Sequence, residues 1–346
     1  MKISGEIEDK HITVSKSRDV GRLYNKSHFG KTTKGNKLQL NLLEGAFLLG
    51  EGKINIFKKE ENVDFQNLVT MAAKNIPRFE IKYLVFRDIR KRGHAVRLDE
   101  DYKNIDFLSV NQEKPCFISV FSERDTVTID EIKELIKIAT KSRNSLWFAI
   151  VDEEGDLTYY DVDGVDLKGT IKKHTFSKSA GILLENRVVI FDKQQARNLL
   201  EKEFFGKPFG SGLQLSLVEA LYLMERHLMD VQDDNGKKIS VETFTQLIKK
   251  AQPDIKSRMI VFKDLKNRKL IVKTGFKFGA HFRVYTKQPD ETHAEYLIHV
   301  VDKGFKSTWA EISRAVRLAH SVNKEIIFAR VDGNSIDYIK LGRLRP

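Results

Sequence analysis

Three polar residues toward the C-terminus carry side chains suited to acid–base work: Tyr285, His293 and Lys324. They offer a phenol, an imidazole and an ammonium, and just ahead of them stands the block Gly275-Phe276-Lys277-Phe278-Gly279. A phenol near pKa 10 is a poor base at neutral pH unless neighbouring cations lower it. An imidazole near 6.5 is well placed to donate a proton, and an ammonium offsets developing negative charge. Together the three can break an RNA phosphodiester without a metal. Singly each is ordinary: a tyrosine ending a strand packs, a loop histidine is common, and a lysine at a helix C-terminus suits the macrodipole. More familiar sites are missing. The sequence has no phosphate-binding glycine loop, no nucleophile elbow and no zinc-binding His-Glu-x-x-His, and its carboxylates are scattered where two metals would need them gathered. No metal and no cofactor is expected.

What lifts the trio above chance is an internal duplication. Phe29-Gly30-Lys31 answers Phe205-Gly206-Lys207, and Val85-Phe86-Arg87-Asp88 answers Val261-Phe262-Lys263-Asp264, both 176 residues on. Phe148-Ala149-Ile150-Val151-Asp152 answers Phe328-Ala329-Arg330-Val331-Asp332 at 180. A near-constant offset over separated blocks means two copies of one unit. On the 180 offset Lys324 falls on Asn144 and His293 on Glu113. The glycine-bounded block is replaced by Asp99-Glu100-Asp101, and the Tyr285 segment finds no counterpart, the earlier copy running Asp101-Tyr102-Lys103. Core positions are kept and polar ones are not, as expected when a scaffold is needed twice and chemistry once.

The 346 residues are 41% hydrophobic and 31% charged, an ordinary globular composition with room for several cores, and the net charge of +12 favours a polyanionic partner. The lone cysteine, Cys116, excludes a disulfide framework and reads as a small buried hydrophobe. No leader-like or membrane-spanning run is apparent, so a soluble cytoplasmic protein with no membrane partner is expected.

The expected fold is α/β (α+β), with a first copy over 1–165, a linker over 166–179 and a second copy over 180–346. Each copy splits into a helical α/β lobe (1–78 and 180–254) and a mixed β-sheet lobe flanked by helices (79–165 and 255–346). In the helical lobes Ser216-Leu217-Val218-Glu219 reads as a capping box ahead of an apolar stripe. In the sheet lobes Tyr296-Leu297-Ile298-His299-Val300-Val301 is strongly β, and Trp309 to Val322 has a helical period. The polar joint, Lys168-Gly169-Thr170-Ile171-Lys172-Lys173, is taken as a linker, with a strand tying the copies together as the alternative.

Gly275 to Gly279, Phe282-Arg283-Val284-Tyr285, His293-Ala294-Glu295-Tyr296-Leu297 and Arg314 to Lys324 resemble the archaeal tRNA-splicing endonuclease family, over the whole second copy and more weakly over the first. The resemblance implies a homodimer with an inactive first repeat and a restriction-endonuclease-like sheet lobe. It implies metal-independent cleavage of precursor tRNA at bulge–helix–bulge junctions, leaving a 2′,3′-cyclic phosphate and a 5′-hydroxyl. By resemblance Tyr285 is the base, His293 the acid and Lys324 the charge stabiliser, with Arg283 or Lys287 assisting. Arg317 is implied to grip a flipped base, with Lys340 or Arg343 as its opposing jaw. The acidic hairpin Asp152, Glu153, Glu154 and Asp156 is read as a loop docking into a basic groove on the second copy of another subunit, and Tyr338 as part of a second association surface. A non-catalytic RNA-binding scaffold and a metal-dependent restriction-type nuclease are the competing readings.

Overall fold

The computed structural model describes residues 2–110, 114–172, 174, 177–289 and 293–346. Glu113 and Lys173, which entered the sequence comparison, lie outside them. Among the described residues no helix is long and apolar enough to cross a membrane.

The chain is a mixed α/β structure in which a lobe pattern occurs twice. Each helical lobe is more β than its sequence suggests. It holds a six-stranded sheet, built in the first copy from strands between Ile3 and Val63 and in the second from strands between Ser179 and Ile239. Several of these strands are two to five residues long, as in Lys238–Ile239 and Lys207–Phe209, too short for a two-residue period to show in the sequence. The helix Leu217–Glu225 starts where expected. The Ser216 side chain accepts from the Glu219 amide, and the Glu219 carboxylate accepts in turn from the Ser216 amide at 2.9 Å. Asn41 and Glu44 do the same ahead of Leu42–Gly50 in the first copy.

The sheet lobes do not stand apart. Their strands form one ten-stranded sheet, joined where Leu157–Gly164 pairs antiparallel with Ser335–Leu344. A second, smaller seam pairs Thr126–Thr128 with Lys306–Thr308, Val127 facing Ser307. In both seams a strand meets its own counterpart from the other copy, so a local two-fold relates the lobes. An apolar core spans the seam, with Trp309 fully buried against Phe121 (4.9 Å) and Phe148 (5.4 Å) of the first copy. Arg330, itself 3% exposed, reaches Asp130 across the seam and also holds Asp337 at 2.9 Å.

These pairings correct one expectation. Tyr338 is 4% exposed, packs in the second copy's core and donates its hydroxyl to Asp264 at 2.8 Å, so it has no surface to offer another subunit. The joint after the first copy is neither a loose tether nor a regular strand. Gly169 and Ile171 donate to the carbonyls of Arg268 and Lys269, and Thr170 donates to that of Thr286, so the segment is laced along the edge of the second sheet lobe.

Candidate active site

Tyr285 ends the strand Phe282–Tyr285, which pairs antiparallel with Tyr296–Asp302, and that strand in turn lies parallel to Glu325–Asp332. At one end of this trio a single rung joins all three: Glu295 donates its amide to Val284 O at 3.2 Å, and Glu325 donates to Glu295 O at 3.0 Å. Tyr285 lies one residue past the rung on the first strand, His293 two residues before it on the second, and Lys324 one residue before it on the third. Strand spacing puts the outer two backbones about 10 Å apart, within the joint reach of a tyrosine and a lysine. The fold thus gathers at one sheet end three residues that the sequence spreads from 285 to 324.

Each is held differently. Tyr285 is 9% exposed and packs against Ile271, Ala294 and Ile171, the last supplied by the laced segment after the first copy. Glu295, beside it, accepts from the Thr286 amide (2.9 Å) and hydroxyl (2.6 Å), fixing the turn that follows the phenol. His293 is exposed. Lys324 follows the helix Trp309–Ser321, whose end is closed by Asn323 at a left-handed φ of 54°, and its ammonium lies 5.5 Å from the Phe278 ring centroid. Phe278 belongs to the Gly275–Gly279 block, which forms a 3-10 turn and places Lys277 5.8 Å from the same ring. Phe276, at the turn's tip, is 89% exposed.

The foot of that turn is pinned by His281. Its Nδ1 accepts from the Val300 amide at 2.9 Å, so its proton sits on Nε2, which faces Asp254 at 3.3 Å. Burial, with His299 and Arg258 nearby, pushes its pKa down to about 4.

The expected RNA-gripping residues divide. The guanidiniums of Arg317 and Arg343, both exposed, act on one phenol, Tyr160, whose pKa burial raises against their pull. Lys340 is instead engaged with Glu325 at 3.4 Å. Lys287 is exposed, two residues beyond Tyr285. The Arg283 guanidinium lies 5.8 Å from the Tyr285 ring, its Nε buried without a partner, and it lines a cleft of about 260 Å³ between the helical and sheet lobes of the second copy. Arg187, Lys207 and Lys273 line the same cleft, with Glu219 as the carboxylate among them. Burial pushes the Lys273 pKa down, and its ammonium donates to Gly206 O at 2.8 Å. Arg187, Lys207 and Lys273 were not singled out as site residues from sequence, because they come from three separated segments.

Strand register also corrects the comparison between copies. Phe282 faces Ile298 as Phe107 faces Ile118, so Tyr285 does have a counterpart, Val110, which donates to Ala95 O where Tyr285 pairs with Ile271. A fixed offset missed it because the loop between the paired strands differs in length. Lys324 and Asn144 match as expected, donating their amides to Ala319 O and Ala139 O. The first copy's cleft differs too. Leu108 stands for Arg283 and His11 for Arg187, while Lys31, standing for Lys207, is paired with Glu100 at 2.9 Å.

The acidic hairpin is exposed at Glu153, Glu154 and Asp156. Asp152 shapes it by accepting from the Glu154 (3.0 Å) and Asp156 (2.8 Å) amides, and Glu153 contacts Arg124.

Comparison with known proteins gives a matching picture. The profile of the tRNA intron endonuclease catalytic C-terminal domain matches residues 79–159 and again 255–338, and that of the N-terminal domain matches 3–69 and 179–245. A tRNA-splicing endonuclease of Methanococcoides burtonii is 34% identical over 98% of this chain and 99% of its own length. One from Methanosarcina barkeri is 34% identical over 94% and 95%, and one from Haloferax volcanii 28% over 94% and 95%. Among solved structures, an Archaeoglobus fulgidus Holliday junction resolvase covers 23% of the chain at 14% identity with a TM-score of 0.21, too slight a likeness to argue from.

Proposed function

The chain belongs to the tRNA intron endonuclease family, and from that premise we propose that it is a tRNA-splicing endonuclease cutting precursor tRNA at bulge–helix–bulge intron junctions without a metal. Tyr285 takes the proton of the 2′-hydroxyl, whose oxygen attacks the neighbouring phosphorus. The bond from phosphorus to the 5′-oxygen breaks, and His293 hands its proton to the departing oxygen. Lys324 offsets the charge on the phosphorane, a role typically worth several kcal/mol of barrier. The products are a 2′,3′-cyclic phosphate and a 5′-hydroxyl. The observation that carries this reading is the single ladder rung flanked by Tyr285, His293 and Lys324 in a copy whose twin has Val110 and Asn144 instead.

Substrate shape is read by unpaired bases. Arg317 and Arg343, both exposed and both drawing on the Tyr160 phenol by their charge, clasp a splayed base between their planes. Arg343 is favoured over Lys340, whose charge is already met by Glu325. The protein acts as a homodimer. The acidic hairpin of one subunit enters the cationic interlobe cleft of its partner, a pairing supported by the four cations around that cleft. In the first copy Arg283 and Arg187 give way to Leu108 and His11 and Lys31 is paired with Glu100, while Arg97 keeps the charge of Lys273.

The test is incubation of precursor tRNA with the protein in EDTA, followed by analysis of the ends. Two cuts bearing cyclic phosphate are expected. Tight binding without cutting would leave the scaffold reading, and cutting only after a divalent ion is restored would leave the metal-dependent one. Reversing the charge of Asp152, Glu153 and Glu154 together is expected to convert dimer to monomer in sedimentation.

A further inference from the structure

The first copy, stripped of the trio, carries a feature that the second lacks. A groove of about 710 Å³ on its helical lobe is lined by Lys2, Lys16, Arg18, Arg22 and Lys26, with Gly21, Asn25 and a single carboxylate, Asp19. All five cations are exposed, and among the described residues none of them makes an ion pair. Such a concentration of unneutralised charge raises the energy of the folded chain through self-repulsion, so nothing in folding calls for it.

The second copy shows that the fold does without it. At the 176-residue offset the same ground holds Lys178, Asp192, Gln194, Asn198 and Lys202. Lys178 is paired with Asp230 at 2.8 Å, whereas the first copy has Asn55 in place of that aspartate. Arg197 and Glu201, standing for Gly21 and Asn25, lie 3.6 Å apart as an ion pair. Three cations against two carboxylates in one copy thus become five against one in the other. The backbone changes with the charge. The second copy's unbroken helix Lys193–Glu203 is replaced by Ser17–Gly21 and a wider π turn, Arg22–Lys26, that carries two of the cations.

We propose that this groove binds the phosphate backbone of the RNA substrate at a point remote from the scissile bonds, so that the catalytically silent copy is a docking platform as well as a brace. Regularly spaced phosphates are the ligand that several unpaired ammonium and guanidinium groups in an open polar groove recognise, and the gain comes from counterion release rather than base readout. The inference rests on the assignment of RNA as substrate.

The test uses the triple variant Lys16→Gln/Arg18→Gln/Arg22→Gln, whose side chains are all exposed, so the fold is not at risk. Binding of a whole precursor tRNA and of a minimal bulge–helix–bulge duplex is measured across salt concentrations, in wild type and variant. For the whole precursor the dissociation constant is expected to rise about tenfold and the salt slope to fall by about two to three, roughly one for each phosphate no longer held, while the minimal duplex binds as before. An unchanged slope and affinity for the whole precursor, in a wild type that binds and cuts it, would overturn the inference and leave the endonuclease assignment standing. Loss confined to anionic vesicles of phosphatidylserine, with RNA binding intact, would overturn it in favour of a membrane surface. A wild type that neither binds nor cuts either RNA would bring down the assignment and this inference together.

Discussion

Asp88, Arg92 and Tyr159 of the first copy form a triad in which Asp88 accepts from Tyr159 and Arg92, each at 2.8 Å. Asp264, Arg268 and Tyr338 repeat it in the second at 2.8 and 2.6 Å. Buried carboxylates repeat as well: Glu44 takes the Gly30 amide and Glu219 the Gly206 amide, both at 2.9 Å. Both glycines hold a left-handed φ where a Cβ would strike a backbone carbonyl, so the loop and its carboxylate are kept as a unit. These bonds are what the fold needs, and they are the same in both halves. At the sheet end the halves part. Tyr285 becomes Val110, Lys324 becomes Asn144, and the interlobe cleft loses Arg283 to Leu108. Side chains kept in duplicate are answering to stability, and those kept once are free to answer to something else.

The contrast can be attacked at several points. His293→Ala is expected to slow cleavage by about 10²- to 10⁴-fold with RNA binding within a few-fold, because only proton donation is lost; single-turnover kinetics would expose a smaller effect and take His293 out of the reaction. Lys324→Gln is expected to cost about 10²- to 10³-fold in the cutting rate, while Asn144→Ala at the twin position leaves the rate within twofold. Equal losses at the two positions would mean that the first copy is not silent.

The duplicated triads give a subtler check. Tyr159→Phe and Tyr338→Phe each remove one hydroxyl from a carboxylate that keeps its arginine, and each is expected to destabilise by about 1.5 kcal/mol. Urea unfolding that separated the two by several-fold would show that the triads are alike in geometry but not in load.

The smallest effect concerns acid. His281 is held neutral in the fold with its pKa down to about 4, so the unfolded chain protonates it first. Stability from this source is whole above pH 6.5 and declines as pH falls toward 4. The groups around it are Asp254, Arg258 and His299. Asp106 holds the matching place in the first copy, where its carboxylate accepts from the Val120 amide at 2.7 Å and meets Lys82 at 2.9 Å. Hydrogen exchange at the Val300 amide is therefore expected to quicken over that range relative to Val120. Parallel behaviour of the two amides would remove His281 as the pin of the 275–281 turn.

Much of this was legible in the residues. The duplication, the capped helices, the Tyr296 strand and the candidate residues Tyr285, His293 and Lys324 follow from local patterns and from repetition, because periodicity and capping are satisfied within a few residues. The ten-stranded sheet was not legible, nor the Tyr338–Asp264 bond that removes Tyr338 from the surface, the counterpart of Tyr285, or the shared pull of the Arg317 and Arg343 charges on Tyr160. Each depends on which strand lies beside which, and in what register, over separations of tens to hundreds of residues. The sequence contains both partners of the seam, the strand edges Leu157–Gly164 and Ser335–Leu344. Only the packed chain decides that these two edges satisfy one another, since unpaired backbone groups buried at that seam would be too costly to leave open.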